Sequence, residues 1–278
     1  MKFFKKPIII FLLFLIFFIT LTIYDSNHGA LTRLRFNYIN LKADNIPKDY
    51  ENLKIAAFGD IHYGTFLDYQ TLDNFINKLN QQQVDVALFL GDIFDEIKLN
   101  ETMILEMSEL LSKIEAPFGK FAVLGDQDLN HGQKLIEEIL FNSGFEVLSN
   151  KKINLYDSNG NYIQLIGLDN LINGNINQEL LLEDINYQIF SLVFSHTPDI
   201  ALDLPKDYFD RLISSHSQNS QIKLPFFNRI DDKIGANYFK AGHHQYQSLE
   251  IDVVHGLGTK VYQRRFFSNP EIIIYQFQ

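Results

Sequence analysis

Three short apolar runs, Lys54–Gly59, Val84–Leu90 and Phe121–Leu124, alternate with stretches of helical periodicity, and this rhythm constrains the fold most. After Asp68, a capping residue, Leu72, Phe75, Ile76 and Leu79 recur on one helical face. After Asn100, Met103, Met107, Leu110, Leu111 and Ile114 do the same until Pro117 stops the helix. Leu135, Ile136, Ile139 and Leu140 mark a third helix. Val84–Leu90 is almost uninterruptedly apolar, as expected of a parallel strand buried on both faces. A βαβαβα order implies right-handed crossovers and a parallel sheet whose ligand site lies at the carboxyl ends of its strands.

Beyond residue 150 the pattern changes. Ile153–Tyr156 and Tyr162–Leu168 flank an Asp157-Ser158-Asn159-Gly160-Asn161 turn and read as a β-hairpin. Phe190–Phe194, Arg211–Ser214, Glu250–Val254 and Ile272–Phe277 are further strands, so a second, mixed sheet packed on the first is expected. Residues 170–188, rich in Asn and Leu, fit neither pattern and read as an insertion or cap. No repeat or long linker divides the part that follows the N-terminal segment.

Pro7 to Tyr24 contains no charged residue and is about as long as a minimal membrane-spanning helix. Lys2, Lys5 and Lys6 precede it, which places the N-terminus in the cytoplasm and the remainder outside. A signal peptide usually has an apolar core of roughly 7–15 residues and a small-residue cleavage site, and neither fits here. The segment therefore reads as an uncleaved single-pass anchor in the cell membrane. Residues 1–24 form a cytoplasmic tip and anchor, 25–52 a juxtamembrane lead-in with one edge strand around Leu34–Leu41, and 53–278 one domain.

Without its first 24 residues the chain carries 34 acidic against 21 basic residues. A domain this acidic is a poor non-specific binder of nucleic acid or of anionic lipid. The 278 residues include no cysteine, which excludes disulfides, thiolate metal sites and cysteine nucleophiles.

Asp and His residues stand where the strands end. They fall in Gly59-Asp60-Ile61-His62, Gly91-Asp92-Ile93-Phe94-Asp95, Gly125-Asp126-Gln127-Asp128, Ser195-His196-Thr197-Pro198 and Ser215-His216-Ser217-Gln218. Any one of them alone is more often a solvated carboxylate or a histidine satisfied by backbone. Five sites, four on strand ends, favour convergence on metal ions. Two divalent ions roughly 3.5–4 Å apart can clamp the attacking and leaving oxygens of an in-line displacement at phosphorus. A shared carboxylate offsets their repulsion, and neutral imidazole ligates without cancelling their Lewis acidity.

These motifs, from about Lys54 to the C-terminus, resemble the calcineurin-like metallophosphoesterases, in particular their membrane-anchored bacterial branch. Gly256-Leu257-Gly258-Thr259, Arg265-Phe266 and Pro270-Glu271-Ile272 resemble that branch's terminal block. The resemblance implies a four-layer α/β/β/α sandwich of two mixed sheets. It also implies two divalent metals (Mn, Fe or Zn) and hydrolysis of a phosphomono- or diester by metal-activated hydroxide. Carried over by position, Asp60, His62, Asp92 and Gln218 hold the first metal, and Asp92, Asp126, His196 and His216 the second. Gln127 and Asp128 fall on the catalytic positions.

Three positions depart from the family pattern: Asp126 replaces Asn, Gln127 replaces the His that assists the transition state, and Gln218 replaces a His ligand. Glutamine donates a hydrogen bond but transfers no proton at neutral pH. One tight and one weaker metal site, and reduced activity, are therefore expected. The substrate would be a lipid- or wall-linked phosphoester reached from the anchor. The competing expectation is a catalytically inactive scaffold that binds an envelope phosphate ligand or a protein partner. His131, His243, His244 and His255 are candidates to replace a missing histidine in space.

Overall fold

The computed structural model describes residues 5–177, 185–205, 207–217, 221, 234–260 and 262–278. The chain opens with α1 (Lys5–Asn27), a 23-residue helix, and a short α2 (Gly29–Thr32). Among the described residues one helical segment, Lys6–Thr32, is long and apolar enough to cross a membrane, and its large apolar side chains from Ile8 to Tyr24 are exposed. At 1.5 Å per residue, α1 spans roughly 34 Å, against about 30 Å for the hydrocarbon core of a bilayer.

Among the described residues, twelve strands form two six-stranded mixed sheets. The first has the order β1 (Arg35–Leu41), β12 (Glu271–Phe277), β2 (Lys54–Phe58), β3 (Val86–Phe89), β4 (Gly119–Ala122), β5 (Phe145–Val147). The second has the order β10 (Gly242–Tyr246), β11 (Leu249–Val253), β9 (Arg211–Ser214), β8 (Ser191–Phe194), β7 (Tyr162–Gly167), β6 (Lys151–Tyr156). β2 to β5 are mutually parallel, as are β7, β8, β9 and β11.

Side-chain alternation builds the layers. Ala56 and Phe58 face the helices while Ile55 and Ala57 face the other sheet. Along β3, Ala87 and Phe89 face the helices and Val86 and Leu88 the other sheet. The helical layer consists of α3 (Tyr69–Asn80), α4 (Glu101–Ser112) and α5 (Asp126–Asn142). Asp68 and Asn100 cap the first two through 2.8 and 3.0 Å bonds from the Thr71 and Met103 amides. Between the sheets, Leu88, Leu165, Phe194 and Tyr275 are sealed from solvent. On the outer face of the second sheet, Ile166, Val193 and Ile251 pack beneath Ile200, Phe209 and Phe239, from a 3-10 helix (Pro198–Leu202) and loops. That outer layer is thin and irregular.

Four elements differ from the sequence expectations. The final strand, β12, returns to the first sheet, antiparallel to β2 and parallel to β1 over seven register pairs. α5 begins at Asp126, well before its apolar stripe, and is kinked at Gly132, whose φ is 110°. β5 and β10 have weak apolar alternation and were not expected as strands. Part of the expected insertion, residues 178–184, lies outside the described residues.

Candidate metal centre

The parallel order of β2, β3 and β4 sets Asp60, Asp92 and Asp126 side by side just past their carboxyl ends. β8 and β9, also parallel, deliver His196 and His216 from the second sheet. Close backbone approach is required here. Gly91 has φ 90°, and a Cβ on it would lie 2.4 Å from the Gly125 nitrogen. A Cβ on Gly125 would lie 2.0 Å from Asp92 Oδ1. Only glycine fits both positions, which explains two of the Gly-Asp pairs. Asp60 (φ 48°), His62 (45°), Asp92 (60°) and His216 (60°) are all left-handed. Each such residue costs on the order of 1–3 kcal/mol, which the surrounding hydrogen bonds must overcome.

Two groups of side chains converge. Asp92, Asp126, His196 and His216 offer ligand atoms within 4.8 Å of one another, and Asp60, His62 and Asp92 do the same. Asp92 belongs to both. Its Oδ2 lies 3.4 Å from His196 Nε2 and 3.7 Å from His62 Nε2, and accepts no hydrogen bond among the described residues. Its Oδ1 accepts the Gln127 amide at 2.9 Å, at the positive N-terminus of α5.

The imidazoles are oriented by backbone. His196 Nδ1 lies 2.7 Å from the Leu90 carbonyl, and His216 Nε2 lies 2.8 Å from the Ile234 carbonyl. A carbonyl only accepts, so both of those nitrogens carry protons. The inward nitrogens, His196 Nε2 and His216 Nδ1, are 3.0 Å apart and lie 3.1 and 2.9 Å from Asp126 Oδ1. These acceptor atoms face one another, so a proton or a cation must stand between them. This donor set fits a divalent cation: oxygen and imidazole ligands, a buried carboxylate oxygen shared by both groups, and backbone carbonyls that fix the far imidazole nitrogens.

Titration reflects the same crowding. Burial pushes the Asp126 carboxyl up, but hydrogen bonds and charge from His196 and His216 outweigh it and hold it well below the usual range. Burial likewise opposes ionisation of Asp92, and the charge of His196 overcomes it. His196 is raised well above the ordinary histidine value: burial lowers it, and Asp92 and Asp126 outweigh that.

Asp128 accepts bonds from the Gly125, Asp92 and Ile93 amides at 2.9, 2.7 and 2.9 Å. It ties the β3 and β4 loops together. Burial and then the charge of Asp92 push it up to about 6, against the pull of those amides. The Gln127 amide donates to Asp126 Oδ2 at 3.0 Å, so that side chain lies at the site's edge. Gln218 lies outside the described residues.

The spare histidines do not join either group. His131 sits on the Asp95 carbonyl at 2.8 Å, His243 on Asp252 at 2.8 Å, and His244 on the Lys240 carbonyl. His255 lies 3.6 Å from Glu271. One residue of the terminal block has a supporting role that sequence does not assign. Arg265, 1% exposed, donates to the Gly256 and Gly258 carbonyls at 2.8 and 2.6 Å. That loop packs on Asp60, with the Gly258 amide donating to the Asp60 carbonyl at 2.8 Å. Burial lowers the Arg265 guanidinium to about 10, opposed by Asp60 and Glu271. Its neighbours Tyr262, Gln263 and Arg264 are exposed, which gives the segment the look of a surface loop in sequence.

A family model described as calcineurin-like phosphoesterase matches residues 53–245. The uncharacterized metallophosphoesterase YkuE of Bacillus subtilis is 30% identical over 239 residues, 84% of this chain and 82% of that protein. The phosphodiesterase YaeI of Escherichia coli is 24% identical over 223 residues, 79% of this chain and 80% of that protein. Among solved structures, the NAD nucleotidase of Haemophilus influenzae aligns with a TM-score of 0.48 at 13% identity, over 74% of this chain and 45% of that one.

Proposed function

The chain belongs to the calcineurin-like phosphoesterase family, and on that premise we propose that it is a membrane-anchored, metal-dependent phosphodiesterase. One observation carries the reading: two ligand groups share Asp92, and the inward imidazole nitrogens are turned toward carboxylates by backbone carbonyls. Asp60, His62 and Asp92 would hold one divalent ion (Mn, Fe or Zn), and Asp92, Asp126, His196 and His216 a second, tighter one. When bound, the ions supply Lewis acidity at the phosphoryl oxygen and lower the pKa of water. The chain's residues align the rest. A water oxygen attacks phosphorus and gives up a proton to solvent, the P–O bond to the leaving group breaks with its electron pair going to the leaving oxygen, and that oxygen collects a proton.

Gln127, whose side-chain amide donates to Asp126 Oδ2 at the site's edge, would offer its other N–H to a phosphoryl oxygen, and Asp128, bound to the Asp92 and Gly125 amides, would position the two loops rather than touch substrate. With no proton-transferring side chain at position 127, the leaving oxygen takes its proton from solvent, so turnover is slow. The name of YaeI favours diesters over monoesters. α1 anchors the domain on the outer face of the cell membrane, since Lys5 and Lys6 flank its start.

The test is turnover of a nitrophenyl phosphodiester by the full chain with added Mn²⁺, beside Asp92→Asn and the triple change Asp126→Asn, Gln127→His, Gln218→His. Slow turnover that Asp92→Asn abolishes is expected. Turnover by the triple variant alone would establish the scaffold reading instead.

A further inference from the structure

We propose that the metal centre opens toward the bilayer and acts on the phosphoester of a membrane lipid, whose acyl side seats between the last turns of α1 and the loop at 265–269. The proposal rests on the hydrolytic, anchored reading above and names its substrate class.

The direction follows from sheet topology. β1 begins where the anchor ends, and its first residue, Arg35, pairs with Glu271 at the start of β12. β12 runs antiparallel to β2, with Ile273 opposite Ala57. The start of β1 therefore lies at the same edge of the sheet as the carboxyl ends of β2, β3 and β4, where Asp60, Asp92 and Asp126 stand. One strand separates β1 from β2, so the anchored edge and the strand carrying Asp60 are only about 10 Å apart. The β6–β7 turn lies at the opposite edge, because β7 is parallel to β8.

The join is direct. The Arg265 amide donates to the Ser26 carbonyl, in the last turn of α1, at 2.9 Å. The guanidinium of the same residue holds the Gly256 and Gly258 carbonyls of the loop on Asp60. Between α1 and this loop lies a cavity of about 770 Å³. Phe18 and Leu21 of the anchor and Phe266 and Phe267 of the loop line it, together with Arg35. Phe18 lies nine residues before the end of α1, about 13 Å back along the helix axis, so the cavity reaches to the depth of the outer leaflet.

Its chemistry matches a lipid. Aromatic and aliphatic walls suit acyl chains. Arg35, exposed and without an ion pair among the described residues, suits an anionic headgroup in an otherwise acidic protein. Phe267 is 70% exposed and Tyr24 63%, as for aromatic side chains that sit in a headgroup layer.

The chain has no native cysteine, so single-cysteine labelling is clean. Phe267→Cys and Ser158→Cys, the latter on the exposed β6–β7 turn, would each carry a fluorophore on the full chain in nanodiscs containing headgroup-nitroxide lipid. Quenching several-fold stronger at 267 than at 158 is expected, and equal quenching overturns the proposal whatever the activity. The unlabelled protein is then given a nitrophenyl phosphodiester on dioleoylglycerol in the nanodisc, or the same diester on water-soluble glycerol, with Mn²⁺. Turnover of the lipid form at least tenfold faster is expected. Equal or slower turnover of the lipid form overturns the lipid proposal and leaves the hydrolase reading intact. No turnover of either, beside normal quenching, overturns the hydrolase reading and this substrate with it.

Discussion

His196 Nε2 and His216 Nδ1 lie 3.0 Å apart, each turned inward by a backbone carbonyl on its other nitrogen. Two lone pairs at that distance repel unless a proton or a cation stands between them. A cation should therefore stabilise the fold. At 100 times its dissociation constant a bound ion contributes about 2.7 kcal/mol. For a protein of this size that raises the melting temperature by roughly 5–10 °C. Calorimetry with chelator and then with added Mn²⁺ or Zn²⁺ measures it, and identical melting temperatures would sink the prediction.

Arg265 is buried to hold the carbonyls beneath Asp60, so a shorter, differently shaped cation should not substitute for it. Arg265→Lys is expected to cost about 2–4 kcal/mol, because hydrogen bonds to charged groups contribute about 1.5–3 each. It should also weaken metal binding at the Asp60 and His62 site by about 10–100-fold. Denaturant unfolding reads the first, and metal titration the second. A variant of unchanged affinity would remove the positioning role.

Gln127 stands in the first turn of α5 with its amide on Asp126. Replacing it by histidine introduces a group that can carry a proton at neutral pH. For Gln127→His, kcat on a nitrophenyl or alkyl phosphodiester should rise by about 10²–10⁴, the usual contribution of a positioned acid or base. The gain should be larger for the alkyl ester, whose leaving group needs the proton more. An equal gain on both esters would place the effect elsewhere.

Asp128 has a folded pKa of about 6, above the unfolded carboxylate value of about 3.9. The folded protein therefore binds this proton more tightly than the unfolded chain. The stability it contributes is complete below about pH 3.9 and is lost as pH rises through 6. With chelator present, the wild type should lose on the order of 2–3 kcal/mol relative to Asp128→Asn between pH 4 and 7. Urea midpoints at several pH values follow the difference, and parallel curves would contradict it.

Sequence alone was sufficient for the strands that carry Asp60, Asp92, Asp126, His196 and His216, because apolar runs ending in Gly-Asp or Ser-His are local signals. The capped stripes of α3 and α4 were equally plain. The early start of α5 was hidden: Gln127, Asp128, Asn130 and His131 are polar, and Gly132 breaks the helical period. The return of β12 to the first sheet has no local signature, since its partners β1 and β2 lie more than 200 residues earlier in the chain. That pairing also fixes the edge at which α1 joins the sheet. The role of Arg265 depends on carbonyls brought to it by folding, and a charged residue among polar neighbours reads as surface.

The most direct measurement is the metal content of the purified full chain by mass spectrometry, in wild type and Asp92→Asn. Retention of at least one divalent ion per chain, a second weaker equivalent on titration, and loss of both in Asp92→Asn is the expected result. A wild type that binds no divalent ion, or an Asp92→Asn protein that binds as many as the wild type, would contradict a centre built around that shared carboxylate.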